Sequence, residues 1–470
     1  MKSTTGISIA LSVILLAVGM TACAIAPEGK NHQTTDQPPP AATTADRDSD
    51  TDTVTNAITD AITDAFTEAE SETEPGNAFE GLVFSKQSDG SYAVSGIKGR
   101  TNTEIVIPST YNGAPVTAIG ENAFSECADL TRVELPAGLT SIEDWAFANC
   151  PLLSDVTLPS GLKKLGDWAF TGCFSLTSIA VPNSVTDFGY GVFAGCTSLA
   201  SCTLPEGLTV IPSSTFSNCG KLTELVIPAG VTVIEHDAFI LCKSLESIRI
   251  PDGVTCIDSS AFRGCKMLSS ITLPEGLKTL GNHAFVDCIG LTSLELPESL
   301  EEYGLLVFQG CSRLATVTMP THFSLDFLFG SDVTAVKHVI IRDGKTTDLS
   351  GFQNLTALQS VTIQAPITSI QSFGFAGCSS LTEITIPATV TEIKSYAFEN
   401  CTSLTSISLG VNVTSIESHA FGGCVNLTDI YYSGTEEQWN DIAVGNLQGT
   451  NAPFLEATVH YGHAIRAYGR

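Results

Sequence analysis

Apolar residues along this chain repeat over a long and constant interval. Phenylalanine stands at 124, 147, 170, 193, 216, 239, 262, 285 and 308, each step being 23 residues, and the column continues at Phe329, Phe352, Phe375, Phe398 and Phe421. A period of this length marks a repeated supersecondary unit. One unit, Leu130 to Cys150, reads LTRVELPAGLTSIEDWAFANC. Leu130, Val133 and Leu135 alternate as the inward side of a short strand, and Pro136 ends it because proline has no N–H for the ladder. Leu139 and Ile142 form a second inward ledge, and Ala146, Phe147 and Cys150 close the coil. Roughly eight of 23 positions are apolar, too few for one coil to fold alone, whereas stacked coils bury a continuous core. The pattern predicts a predominantly β solenoid of about fourteen coils, spanning about 70 Å at one rung per ~5 Å.

The units differ in informative ways. Val192, Thr215, Val307 and Gly374 replace the alanine before the phenylalanine, and Leu355 replaces a cysteine. The segment 320–351 departs most: one residue is inserted before the strand expected at Val339 to Ile341, which predicts a kinked or bulged coil. Both ends read as caps. Residues 79–120 hold a hairpin, with Val83 and Phe84 before an Asp89-Gly90 turn and Tyr92 and Val94 after it, followed by a first coil. The regular repeats cover 121–430. Within 431–470, Thr435-Glu-Glu-Gln438 is a capping box opening a short helix that carries Trp439, and Thr458 to Tyr461 reads as a final strand. Such covers protect the open edges of a stack.

The A-F-x-x-C signature stands unaltered in most of these units, and over residues 79 to 463 the pattern resembles the leucine-rich repeats of BspA-like bacterial surface proteins. That resemblance implies a leucine-rich-repeat solenoid and a role in attachment, with host matrix or plasma proteins or other bacteria as partners.

The first 22 residues hold Lys2, an apolar run from Ile7 to Val18, then Thr21 and Ala22 before Cys23. This is the layout of a secretory signal peptide, and the run is too short for a membrane span. Met-Thr-Ala-Cys at 20–23 resembles a lipobox, which makes Cys23 the expected site of lipidation. The alternative is ordinary cleavage after Ala24-Ile25-Ala26, which Pro27 disfavours. The 23–78 segment is rich in Thr, Asp, Ala, Pro and Glu and nearly free of large apolar residues, so it reads as a disordered stalk. As a flexible coil it would hold the body about 40 Å from the anchor. The expected location is extracytoplasmic, with membrane contact only through the lipid.

Charge narrows the partners. The formal net charge is −28, of which the stalk carries −10, leaving about −19 for the body once Lys2 is set aside. A body this acidic argues against nucleic acid and anionic lipid. Asp48-Ser-Asp50-Thr-Asp52 starts like a calcium loop, but Thr53 and Thr59 occupy the places that need glycine and glutamate. Twelve of the 15 cysteines belong to the repeat column; Cys202 replaces a core valine and Cys256 falls on an outward column. Parallel inward columns disfavour bridging and no Cys/His spacing suits zinc, so buried thiols are expected. The eight histidines are scattered, and His460-Tyr-Gly-His463 has no carboxylate nearby in sequence. No nucleophile elbow, zinc-protease helix or phosphate loop occurs, so neither an enzyme nor a cofactor is expected.

Two surface features remain. Positions equivalent to 131, 132 and 134 are mostly Ser and Thr, which β-propensity explains better than binding of ordered water. Two positions before the column phenylalanine, Trp145 and Trp168 stand on adjacent rungs, and Phe373, Tyr396 and His419 on three others; elsewhere the spot holds residues such as Asn122, Gly191 and Ser214. Aromatic rungs fit either hot spots for a ligand or a shield over one corner of the coil. The chain therefore reads as an adhesin-like cell-surface protein that binds host or bacterial surface proteins. The alternatives are a glycan-binding lipoprotein for nutrient capture and a structural envelope protein.

Overall fold

The computed structural model describes residues 81–99, 103–330 and 335–464. The expected signal peptide, Cys23 and the stalk to residue 78 lie outside the described residues. The described chain is the solenoid that the period predicts, with up to three hydrogen-bonded ladders per coil; the first is interrupted, and between Thr203 and Ser293 it shrinks to the single bridge Val226↔Arg249.

The first ladder joins the L-x-x-V-x-L strands in parallel and in register, as in Arg132↔Asp155, Ser178↔Ser201 and Glu383↔Ser406. The second joins two-residue strands at the Leu-x-x-Ile ledge, Ser141↔Lys164 and Val210↔Val233 among them. Leu130, Val133, Leu139, Ile142, Ala146, Phe147 and Cys150 are all buried as expected. Cys256 corrects the sequence reading. It lies in the second ladder between Val233 and Thr279 and is 3% exposed, because at these coils both residues of the short strand are covered.

The third ladder runs through the Ala-Phe turn. The N–H of Phe147 donates to the Ala169 carbonyl at 2.8 Å, and that of Phe239 to Ala261 at 2.8 Å, one coil onward. To aim these groups along the stack, the residues two before and two after the phenylalanine take the left-handed conformation, Trp145 at φ 57° and Asn149 at φ 55° in one coil. The cysteine column has its reason here. The thiol of Cys173 donates to the Phe147 carbonyl of the preceding coil at 3.2 Å, and the same bond recurs from Cys150 through Cys311 and from Cys378 through Cys424. Cysteine is small enough for the core and still carries a donor. The ladder thiols are buried and unbridged.

From Phe124 to Phe308 the rings stack at 5.1 to 6.1 Å. Phe329 tilts by 32° against Phe308, and among the described residues no ring contact joins Phe329 to Phe352, where the stack restarts. The cause is a short helix, Leu325–Phe329, in the irregular coil. The expected one-residue insertion holds only relative to Phe329. Strand to strand the coil is shorter by one, since Val317 pairs with Val339 and Val339 with Val361, 22 residues apart each time.

The N-terminal cap is the hairpin Leu82–Lys86 with Tyr92–Ile97, where Phe84 stacks on Tyr111 at 4.0 Å. At the C-terminus the capping box forms between Thr435 and Gln438, and Thr458–Tyr461 pairs with Asp429–Tyr432. Two cap residues went unnoticed in the sequence. Asn451, fully buried, accepts the Phe421 N–H that has no further coil to bond, and Phe454 extends the ring column by stacking on Phe421 at 4.6 Å.

Candidate functional site

The column equivalent to Thr131 is spent on the fold. Thr405 and Thr131 donate their hydroxyls to strand-edge carbonyls of the preceding coil, and Thr140 and Thr391 do so on the second ladder. This consumes donors that ordered water would need and adds a reason for threonine beyond β-propensity.

The five aromatic candidates gather as two stacks. Trp145 and Trp168 lie 5.6 Å apart with an 18° interplanar angle; Phe373 and Tyr396 lie 4.8 Å apart at 3°, and Tyr396 and His419 4.6 Å apart at 28°. All five hold positive φ, between 57° and 65°, where glycine or asparagine would be least strained. A large aromatic in this conformation costs about 1 kcal/mol, which ring stacking offsets by a similar amount. Trp168 also leans on the next coil: a β-carbon at Gly191 would sit 2.2 Å from its ring, so only glycine fits there. Stacked along the solenoid axis, the rings cover one another's faces. Among the described residues no aromatic covers the outer face of Trp145, Phe373 or His419, and Phe373 is 41% exposed. The stacks turn their inner faces on one another and offer a partner mainly ring edges.

Among the described residues no polar cluster adds up to a catalytic centre. Ser213 is the nearest approach, with its hydroxyl 2.8 Å from Glu235 Oε2 and 2.9 Å from His236 Nδ1. Here carboxylate and imidazole both contact the hydroxyl, whereas an activated serine needs the carboxylate behind the imidazole. Ser213 is also buried at 6% exposure. A shallow depression of about 520 Å³ near the C-terminal cap is lined by Ser395, Ser415, Glu417, Ser418 and Gly445. The hydroxyl and N–H of Ser395 and the ammonium of Lys394 hold the Glu417 carboxyl below its ordinary range, which makes it a poor base. The histidine pair of the terminal cap does have a carboxylate: His460 Nε2 lies 2.7 Å from Asp429 Oδ1 of the preceding rung, and its ring stacks on Tyr431 at 4.9 Å. Among the described residues no helix is long and apolar enough to cross a membrane.

Comparison with known proteins agrees with this architecture. The family model described as BspA type leucine rich repeat region matches residues 117–246, 232–347 and 345–452. A leucine-rich repeat protein from Bacteroides ovatus is similar at 24% identity with a TM-score of 0.50, covering 82% of this chain and 99% of its own. A leucine rich cell surface protein from Faecalibacterium prausnitzii is 30% identical with a TM-score of 0.44, covering 79% of this chain and 98% of its own. A leucine rich repeat protein of T. pallidum is 30% identical with a TM-score of 0.39 over 41% of this chain and 91% of its own. No curated protein matches the chain.

Proposed function

Because the chain belongs to the BspA-type leucine-rich repeat family, we propose that it is a surface-displayed binding protein, lipidated at Cys23 and attached through its solenoid to proteins on host or bacterial surfaces. A repeat scaffold that binds protein is the coarse reading, and the adhesin role is the finer one. The observation that carries the finer reading is the aromatic residues at Trp145, Trp168, Phe373, Tyr396 and His419. They form runs of stacked rings at a backbone position that other coils fill singly with Asn, Gly, Ser or Asp, with His283 or with Leu306. Aromatic anchors are where interface energy concentrates.

Ring orientation favours a protein partner over a glycan. Sugars stack on ring faces, and the stacks spend their inner faces on one another. A protein can use edges as well. No nucleophile is activated in the polar clusters, so we read the role as binding without turnover.

The test is binding of the mature protein to a panel of matrix proteins, plasma proteins, mucins and plant polysaccharides. Saturable binding to a protein or glycoprotein supports the reading; binding confined to polysaccharides would replace it with nutrient capture. Anchoring is tested separately. Cys23→Ala should release the protein into the medium, and retention of that variant in the membrane fraction would refute lipidation.

A further inference from the structure

The turn that follows the column phenylalanine carries a charge pattern unlike the rest of the molecule. In the four coils containing Phe216, Phe239, Phe262 and Phe308 it presents Lys221, Lys243, Lys266 and Arg313, four or five positions after the phenylalanine and all exposed. At those two positions the other coils from Phe124 to Phe421 hold no basic residue and one acid, Asp129. None of the four cations lies within salt-bridge distance of a carboxylate, although lysines and arginines elsewhere pair across rungs, as Lys164 does with Glu143 and Lys278 with Glu301. One further cation, Arg263, stands in the same turn; burial pushes the Asp237 carboxyl up, and His236 and Arg263 oppose that shift only in part. Between Lys266 and Arg313 the turn exposes Met267 (55%) and Ile289 (39%) together with the acid Asp287.

Unpaired cations in a line on a body that is otherwise strongly acidic are a local field of opposite sign. The scaffold sets their spacing. Phe216 through Phe308 stack in steps of 5.4, 5.1, 5.2 and 5.4 Å, and the turn itself is hydrogen-bonded coil to coil, Asn218 N–H to the Ile240 carbonyl and Gly264 N–H to Val286. The row thus advances about one cation per rung, with the Ile289 rung empty.

We propose that this row is a second binding site, for a linear anionic polysaccharide bearing sulfate or carboxylate on successive sugars. Such a polymer repeats its charge at roughly the length of one rung and can run along the row in register. An extended acidic peptide fits less well, because acids on one face recur every ~6.6 Å against a rung of ~4.8 Å and drift out of step within a few residues. The row lies in the turn and the aromatic stacks lie on other coils, so the site is separate from the one above and stands or falls without it.

The probe is heparin, titrated into the mature protein at about 50 mM and about 200 mM salt. Lys221→Gln, Lys243→Gln, Lys266→Gln and Arg313→Gln together form the row variant; Lys86→Gln, Lys98→Gln, Lys163→Gln and Lys337→Gln, four exposed lysines elsewhere, form the charge-matched control. Expected are saturable binding by the parent protein that weakens with salt, a loss of about tenfold or more in the row variant, and near-parent affinity in the control. All substituted residues are exposed, so thermal midpoints should stay close to the parent's. Absence of binding at low salt, equal losses in the two variants, or competition by polyglutamate or anionic phospholipid vesicles as effective as unlabelled heparin would each overturn the assignment.

Discussion

Replacing Phe239 with alanine tests the internal logic of the stack. Its ring is fully buried and sandwiched between Phe216 at 5.4 Å and Phe262 at 5.1 Å, with interplanar angles of 10° and 6°. Deleting a buried phenyl ring costs ~3 to 5 kcal/mol through lost transfer energy and the cavity left behind. The neighbouring coils are tied by the second and third ladders and by the single bridge Val226↔Arg249, which resists collapse into the hole, and two ring pairs are lost, each worth ~0.5 to 1.5 kcal/mol beyond its area. Phe239→Ala therefore belongs at the upper end, about 5 kcal/mol. Phe352 is equally buried but stacks on one ring only, Phe375 at 4.9 Å, because the column is broken on its other side. Phe352→Ala should cost about 1 kcal/mol less. Denaturant unfolding followed by circular dichroism measures both, and hydrogen exchange should place the loss of protection around the altered coil. A cost below about 2 kcal/mol for Phe239→Ala, or equal costs for the two, would refute the ring-column argument.

Other consequences follow from the same geometry. Burial pushes the thiols of Cys173 and Cys242 up to about 12, so at pH 8 the ladder thiols should resist alkylation until the protein unfolds. Native labelling of any ladder cysteine, or a disulfide mapped to one by peptide mass, would contradict this. Hydrogen bonds from His460 and Thr428 hold the Asp429 carboxyl below its ordinary 3.8. A lowered carboxylate pKa stabilises above the ordinary range and is lost as pH falls through it, so acid should loosen the final strand Thr458–Tyr461 first. Asp429→Asn should remove that pH dependence, as read by exchange of the strand's amides. Deleting one coil, Thr223 to Leu245, should leave a shorter folded solenoid, since each coil contacts mainly its neighbours; loss of all β-type circular dichroism would contradict that.

How much of this was legible in the sequence depends on where each partner lies. Inward positions such as Val133, Ile142 and Phe147 declare themselves because burial selects the same apolar type at every rung. The Thr435 to Gln438 capping box is a local motif and was readable for that reason. Contacts between rungs were not. The thiol bond of Cys173 goes to a carbonyl 26 residues back, and His460 finds Asp429 31 residues away, at spacings that only a folded coil brings together. Left-handed backbone at Trp145 hid behind the variety of residues at its position, since only Gly191 among its equivalents openly signals positive φ. Cys256 was misplaced because strict alternation assumes a strand longer than two residues. Asn451 and Phe454 replace a missing coil with side chains from a helix and its cap, so they share no period with the repeats. The aromatic column is legible as a column, but a column in a sequence says nothing of whether its rings lie flat or stack.

The account's central claim is that the aromatic stacks serve a partner and not only the coil. Trp145→Ala and Trp168→Ala made together, with affinity for the bound surface protein and thermal midpoint measured on the same sample, test it most directly. If the stack is a hot spot, binding weakens by about 2 kcal/mol or more while the midpoint falls only slightly, since alanine keeps the Cβ and leaves the left-handed strain as it was. A lowered midpoint with unchanged affinity would show that the rings only shield the turn.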